Sequence, residues 1–305
     1  MDCRRNGEQV LPIEKLETVD AFIAFDLADA PESVGMVRSA RKILPGGASD
    51  LARSMTYAFA TFEMRRSGAS AGINAVDDDR ADAVAKFTAE IAPMVAAGRF
   101  LPEPGTRVPR TALASLAEVD PRAAVGEVAD QAAVAGVVAA AASAAGGLDG
   151  RTVAIEGSGP ICDALTIAVG DRGGTIVEMS GHADVLFAGS RMGVVNHTVA
   201  EGLEVGALVP YGPIPVTARA LAIFGRAGTT VVPDFISTAG PLFAWWPTGN
   251  ATPEAIAADA AAKVTASLEE IADHPDGLFL AAAQRAESFL ATWQDSLPFG
   301  RPLAS

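Results

Sequence analysis

The sequence predicts an α/β fold in two domains: an N-terminal α+β domain over residues 1–125 and a Rossmann-like parallel sheet over 126–284, with a last helix in 285–305. Three observations predict it. Residues 152–184 read as strand, glycine turn, helix and strand, the opening of a nucleotide-binding sheet. Short apolar runs then alternate with helical patterns as far as residue 232, as in parallel strands joined by crossover helices. Before residue 126 the pattern differs, with short strands and amphipathic helices separated by Gly- and Pro-rich turns.

Residues 1–20 are polar and say little. The apolar run 21–27 forms a strand, and Gly35-Met36-Val37-Arg38 leads into a second that ends at Ile43. Pro45-Gly46-Gly47 is a turn, and Ser49 or Asp50 caps a helix with Leu51, Met55, Phe59 and Phe62 on one face. The small-residue stretch 67–73 (SGASAGI) reads as a loop. Asp77, Asp78 and Asp79 place negative charge at the start of the next helix, which buries Val84, Phe87 and Ile91 and ends or kinks at Pro93. Residues 98–110 read as a Pro/Gly-rich connection.

Residues 127–145 form a long, nearly all-apolar helix, hence a buried one; its block 132–145 is too short to span a bilayer. In the next unit, strand 153–155 precedes Gly157-Ser158-Gly159. The first glycine permits the tight turn, the second lets backbone approach a pyrophosphate, and the helix N-terminus favours negative charge. Cys162 holds the third glycine position. The second strand, 175–179, contains Glu178 within it and ends in Ser180-Gly181 instead of an acid. Strands follow at 183–187, 203–210 and 230–232, with a helix over 217–227. Thr252 and Pro253 form an N-cap and first-turn pair for a helix running to about residue 272. His274-Pro275-Asp276-Gly277 breaks it, and a last helix ends near Trp293.

With 37 acidic against 23 basic residues in 305, the net charge of −14 opposes binding to nucleic acid or anionic lipid. Cys3 and Cys162 lie far apart without metal spacing, which fits a reducing compartment better than a disulfide framework. No charged segment followed by an apolar one opens the chain, so a cytoplasmic protein is expected. His182, His197 and His274 fall on separate elements, and no metal site is expected. The basic cluster Arg38, Arg41 and Lys42 is either a solvated face or an anion site.

Several stretches together resemble the glutamate/leucine/phenylalanine/valine dehydrogenase family, above all its leucine and phenylalanine branch. Met55-Thr56-Tyr57 is similar to the start of that family's lysine-bearing helix, and 67–73 falls at the spacing of its glycine-rich lysine loop. Gly98-Arg99-Phe100-Leu101 with Glu103-Pro104-Gly105-Thr106 resembles "GRYI…DVGT". Gly136-Val137, Asn196, Val232-Pro233-Asp234 and Thr238-Ala239-Gly240 resemble its "GV", "IIN" and "PD…NAGG", all in family order.

The resemblance implies reversible oxidative deamination of an L-amino acid with NAD or NADP as cofactor. It also implies a C-terminal helix packed back on the first domain, and a homodimer or larger assembly. In the family one lysine anchors the substrate carboxylate, a second activates water, and an aspartate moves protons. Here Ala58 and Ser70 stand at the two lysine positions, Glu103 at the aspartate, and Thr238 at a substrate-orienting asparagine. A cation for the carboxylate would come from Arg38 or from the Arg65/Arg66 pair, the alternative for that pair being a solvated helix end; an arginine does not serve as a base near neutrality. Trp245 and Trp246 would either line an apolar pocket or fill space left by a missing cofactor. On the nucleotide side, Gly157, Gly159, Cys162 and Asn196 are the candidate cofactor residues, while one helix–strand unit of the adenine-binding half is missing before 183–187. The sequence therefore leads to an amino-acid-dehydrogenase-like scaffold acting on a small amino or keto acid with altered chemistry. The alternative is a catalytically inactive relative that binds a small acid or regulates a partner.

Overall fold

The computed structural model describes residues 12–179, 181–249, 251–297 and 304; Cys3 and Ser180 lie outside them. The chain forms two compact units. One holds the residues up to Thr56, then 65–121 and the segment that begins at Leu290; the other holds Tyr57–Met64 and Arg122–Phe289.

The first unit is a five-stranded mixed sheet. In chain order its elements are β1 (Ile13–Lys15), β2 (Ala21–Phe25), β3 (Ser33–Ala40), α1 (Pro45–Thr61), β4 (Ser67–Asn74), α2 (Arg80–Ala96) and β5 (Leu101–Pro104). The spatial order is β1-β2-β4-β3-β5, with β3 parallel to both of its neighbours. Four expectations need correction here. The 67–73 stretch is not a loop but β4, the middle strand of the sheet. The 98–110 connection contains β5, whose two prolines are tolerated because it is an edge strand. Helix α1 begins at Pro45, so Ser49 and Asp50 lie inside it and do not cap it. Of the two alternatives for Pro93, ending the helix is overturned, because α2 runs on to Ala96.

Small residues explain why β4 is central. Gly68 brings α1 down onto the sheet so closely that a side chain there would collide with the Ala52 carbonyl oxygen. Gly68 N–H donates to Thr56 Oγ1 at 2.9 Å, tying strand to helix. Beside this crossing Arg53 Nε meets Asp26 at 2.7 Å, and burial pushes the Asp26 carboxyl up while Arg53 pulls it down.

The second unit carries the parallel sheet. Its elements are α3 (Glu127–Ala145), β6 (Thr152–Ile155), α4 (Pro160–Gly170), β7 (Thr175–Val177), β8 (His182–Ala188), α5 (His197–Glu201), β9 (Glu204–Pro210) and α6 (Ala218–Ala227). After these come β10 (Thr230–Val231), α7 (Asp234–Ser237), α8 (Gly240–Trp245), α9 (Pro253–Glu269) and α10 (Leu278–Leu290). The strand order is β10-β9-β8-β6-β7, every pair parallel. The chain leaves β6 for β7 on one side and returns to β8 on the other, which makes the end of β6 the topological switch point. β7 is the edge, with nothing added beyond it among the described residues. It also ends at Val177, which corrects the sequence reading: Glu178 stands just past the strand end, exposed, and not within the strand.

Helix α3 has 19 residues and the length and apolarity to cross a bilayer, longer than its uninterrupted apolar block implied. It packs on α9, α8 and β9, but only 39% of its apolar window is buried, less than the nearly all-apolar composition predicts. Gly240 sets the α3–α8 crossing, its Cα against the Ala132 carbonyl.

At the far end of the sheet Thr152 and Asp184 clasp β6 to β8. The Thr152 N–H and hydroxyl each donate to Asp184 Oδ2 at 2.8 Å, and Asp184 N–H returns a bond to Thr152 Oγ1 at 3.0 Å. These donors hold the Asp184 carboxyl below the ordinary aspartate value of 3.8. A depressed folded pKa means the clasp stabilises above that ordinary value and is lost as pH falls through the folded one. An NMR carboxyl titration is expected to give a midpoint below 3.8, returning toward it in Thr152→Val.

Candidate functional site

In the first unit, register places the candidate residues. Met36 on β3 pairs with Ser70 on β4 and with Glu103 on β5, so all three share one sheet face. At about 4.8 Å between strands, Ser70 and Glu103 stand about 10 Å apart with Met36 between them. They are one row but not a hydrogen-bonded pair. Arg38 follows two residues beyond Met36 on the same face, opposite Gly72.

Cover over that face is uneven. On the β2–β4 side, Phe22, Ala24 and Ala48 pack together with Ile43, and Ser70 is fully buried. On β3 the alternation shows: Val37 and Ser39 are buried, Met36, Arg38 and Ala40 only half-buried. Gly72 leaves room that the Phe22 ring and Ile43 lean into, giving Arg38 an apolar flank. The Met36 side chain lies over Gly105.

The chemistry of these residues separates sharply. The Ser70 hydroxyl donates to the Met36 carbonyl at 3.3 Å, so its proton is spent on the sheet. Ala58, at the other lysine position, is a buried α1 residue in the segment that belongs to the second unit. Glu103 is half-buried. Arg38 is the exception: its Nε and Nη2 are buried without a hydrogen-bond partner among the described residues. Burial draws its basicity down, but a guanidinium remains a cation at any physiological pH. Buried donors of this kind are normally paired, so an unpaired fork marks a place where an acceptor fits. The basic cluster thus divides, with Arg38 turned into the sheet face while Arg41 and Lys42 are exposed. Of the other arginine pair, Arg65 is exposed and Arg66 Nε is held by Glu32 at 2.7 Å.

The second unit holds the remaining candidates. Gly157 and Gly159 take φ of 96° and 115°, conformations that need glycine, and Pro160 opens α4. Two side chains occupy this turn. Tyr211, just after β9, donates its hydroxyl to the Glu156 carbonyl at 2.6 Å and sits so that a Cβ on Gly157 would lie 2.5 Å from it. The Glu156 carboxylate accepts from the Gly189 and Ser190 N–H groups, both at 3.1 Å, and from the Ser190 hydroxyl. Cys162 explains its own presence at the third glycine position: its Sγ is buried and lies 3.5 Å from the Tyr211 oxygen. Burial, then the Cys162 contact, push the Tyr211 phenol up, so it stays a proton donor.

Asn196 caps α5, accepting from Val199 N–H at 3.1 Å. Thr238 donates its hydroxyl to the Asp234 carbonyl at 2.7 Å. Trp245 is carried into the interior at 2% exposure, with Arg122 stacked over its ring and Trp246 edge-on at 6.0 Å. No group of metal-binding side chains forms among the described residues.

Sequence reasoning missed Met36, Glu156, Ser190 and Tyr211. One signal was available for the last three: each follows an apolar run that ends a strand, and strand ends meet at the switch point of a parallel sheet.

No protein-family model and no curated protein sequence matches the chain. Solved structures do. The hetero-hexameric glutamate dehydrogenase of Thermus thermophilus, in a Leu-bound form, superposes with a TM-score of 0.75 at 18% identity, over 91% of this chain and 86% of that one. The L-tryptophan dehydrogenase of Nostoc punctiforme gives 0.66 at 18% identity over 93% and 97%. A glutamate dehydrogenase of Plasmodium falciparum gives 0.73 at 9% over 89% and 77%. The chain therefore has the fold of the amino-acid dehydrogenases, at a sequence distance that carries over the scaffold alone.

Proposed function

We propose that this chain is a divergent amino-acid-dehydrogenase-like protein that binds a small carboxylic acid on the sheet face of its first unit. One observation carries the reading: the buried, unpartnered fork of Arg38 on the face shared with Glu103. Guanidinium and carboxylate match in shape and charge, and a partly buried pair is screened little. From strand spacing and rise, Arg38 and Glu103 arise about 8 Å apart at the backbone. A small amino or keto acid held by Arg38 reaches toward Glu103 with its α-carbon. In the enzymatic version Glu103 gives or takes a proton there. Arg38 orients the acid and Met36 supplies the apolar floor. Ordinary deamination is not part of this proposal, because neither Ala58 nor Ser70 supplies a base near neutrality.

The second version keeps the binding and drops the turnover. It is favoured by the Ser70 hydroxyl, which already donates into the sheet. An assembled state, a homodimer or larger, accompanies both versions and is supported by the family resemblance.

Calorimetric titration with a panel of L-amino acids and 2-keto acids tests the binding, and exchange of the α-proton in deuterated water tests the chemistry. Exchange that falls at least about hundredfold in Glu103→Gln, the lower end of the usual share for one acid–base group, supports the enzymatic version. Binding without exchange supports the second. Failure of every acid to bind overturns the proposal.

A further inference from the structure

The fold implies a nicotinamide dinucleotide, and the glycine turn after β6 is where its pyrophosphate would lie. A pyrophosphate needs three things there: open backbone at the first glycine, N–H groups free to donate, and no competing negative charge. The structure opposes the first and the third, while the space at Gly159 stays open. Space above Gly157 is taken by the Tyr211 hydroxyl and by Ser190, whose Cβ lies 3.0 Å from where a Gly157 Cβ would be. The N–H groups of Gly189 and Ser190, at the end of β8 across the switch point, hold the Glu156 side chain at the turn. The charge at the turn is the Glu156 carboxylate itself.

We infer that Glu156, Ser190 and Tyr211 form an internal latch that takes the place of the dinucleotide pyrophosphate, so that this turn closes on itself and binds no NAD or NADP. The three residues come from the ends of β6, β8 and β9, and each bond runs between them. Tyr211 donates to the Glu156 backbone, Ser190 donates to the Glu156 side chain, and Cys162 backs the phenol from the first turn of α4. A cysteine in place of the third glycine is part of the same arrangement, since glycine would leave the phenol oxygen without that contact. Glu178 lies exposed just past β7, and a ribose contact there would not compensate for a closed phosphate turn. This inference concerns the second unit only and stands or falls apart from acid binding at Arg38.

The test is binding, by calorimetry and by thermal shift, of NADH, NADPH and ADP-ribose at millimolar concentration. Wild type is expected to bind none. Glu156→Gln with Tyr211→Gly removes the charge and the plug, and is expected to bring ADP-ribose binding into the range of the assay, an increase of at least about tenfold. Glu156→Gln alone, nearly isosteric, is expected to gain less while keeping the wild-type melting temperature within a few degrees, which separates opening from misfolding. Saturable NADH binding by wild type that Gly157→Val abolishes would overturn the latch. Folded variants that still bind no ADP-ribose would overturn it too, because closure would then have another cause.

Discussion

Arg38→Met is expected to make the protein more stable and less able to bind. The guanidinium has two buried donors without acceptors, a penalty of about 1–3 kcal/mol that methionine avoids while keeping much of the apolar stem. The unliganded melting temperature is therefore expected to rise by several degrees, at roughly 2–4 °C per kcal/mol for a chain of this size. Binding of small carboxylates is expected to weaken by at least about 2 kcal/mol, or about thirtyfold, as when one partner of a buried charge pair is removed. The opposite signs are the point. A merely structural arginine would lower the melting temperature when removed, so a drop in stability with unchanged affinity would exclude a binding role. Thermal denaturation with and without the acid reads both effects in one experiment.

Gly240→Ala is expected to cost about 3 kcal/mol or more, the upper end for overpacking. The backbone conformation there is ordinary, so the penalty is steric alone. A Cβ at Gly240 would press into the Ala132 carbonyl and lie 2.9 Å from the Ala133 Cα, and neither helix backbone has a flexible end to move. Gly136→Ala serves as the control. Its Cβ would meet the Ser237 oxygen at 3.4 Å and the Gly240 backbone at 3.5 Å, ordinary contact, and helix propensity favours alanine. Its expected change is under about 1 kcal/mol. Denaturant unfolding of the pair decides it: equal losses would mean that the α3–α8 crossing yields, and that Gly240 is not what sets it.

Much of the second unit was legible because its strands are apolar runs and its helices carry their own boundaries. Thr217 and Thr252 cap α6 and α9 by accepting from Ala220 and Ala255, three residues on in each case. The first unit was harder to read. SGASAGI lacks the branched and aromatic residues that mark a strand, yet β4 lies in the middle of the sheet because a thin strand is what α1 needs beneath it. Strand propensity reports fit to neighbours, and the neighbours were unknown. The Glu178 error is one of boundary: moving the end of β7 back by two residues changes an internal residue into one that follows the strand. The candidate site was legible as a set of positions but not as a geometry. Nothing local to Ser70 or Glu103 says that Met36 separates them, and nothing local to Glu156 says that its partners lie 33 to 55 residues away.

The β7 edge, with no further strand beyond it among the described residues, has a consequence for handling and folding. An edge strand invites other chains, and here Ile176, Met179 and the nearby Ile167 are exposed at 38%, 50% and 65%. Yet the strand is three residues long, too short to template a stack of six- or seven-residue segments. Brevity and a strongly negative surface together act as gatekeepers, letting the sheet end at β7 without making its rim a seed for aggregation.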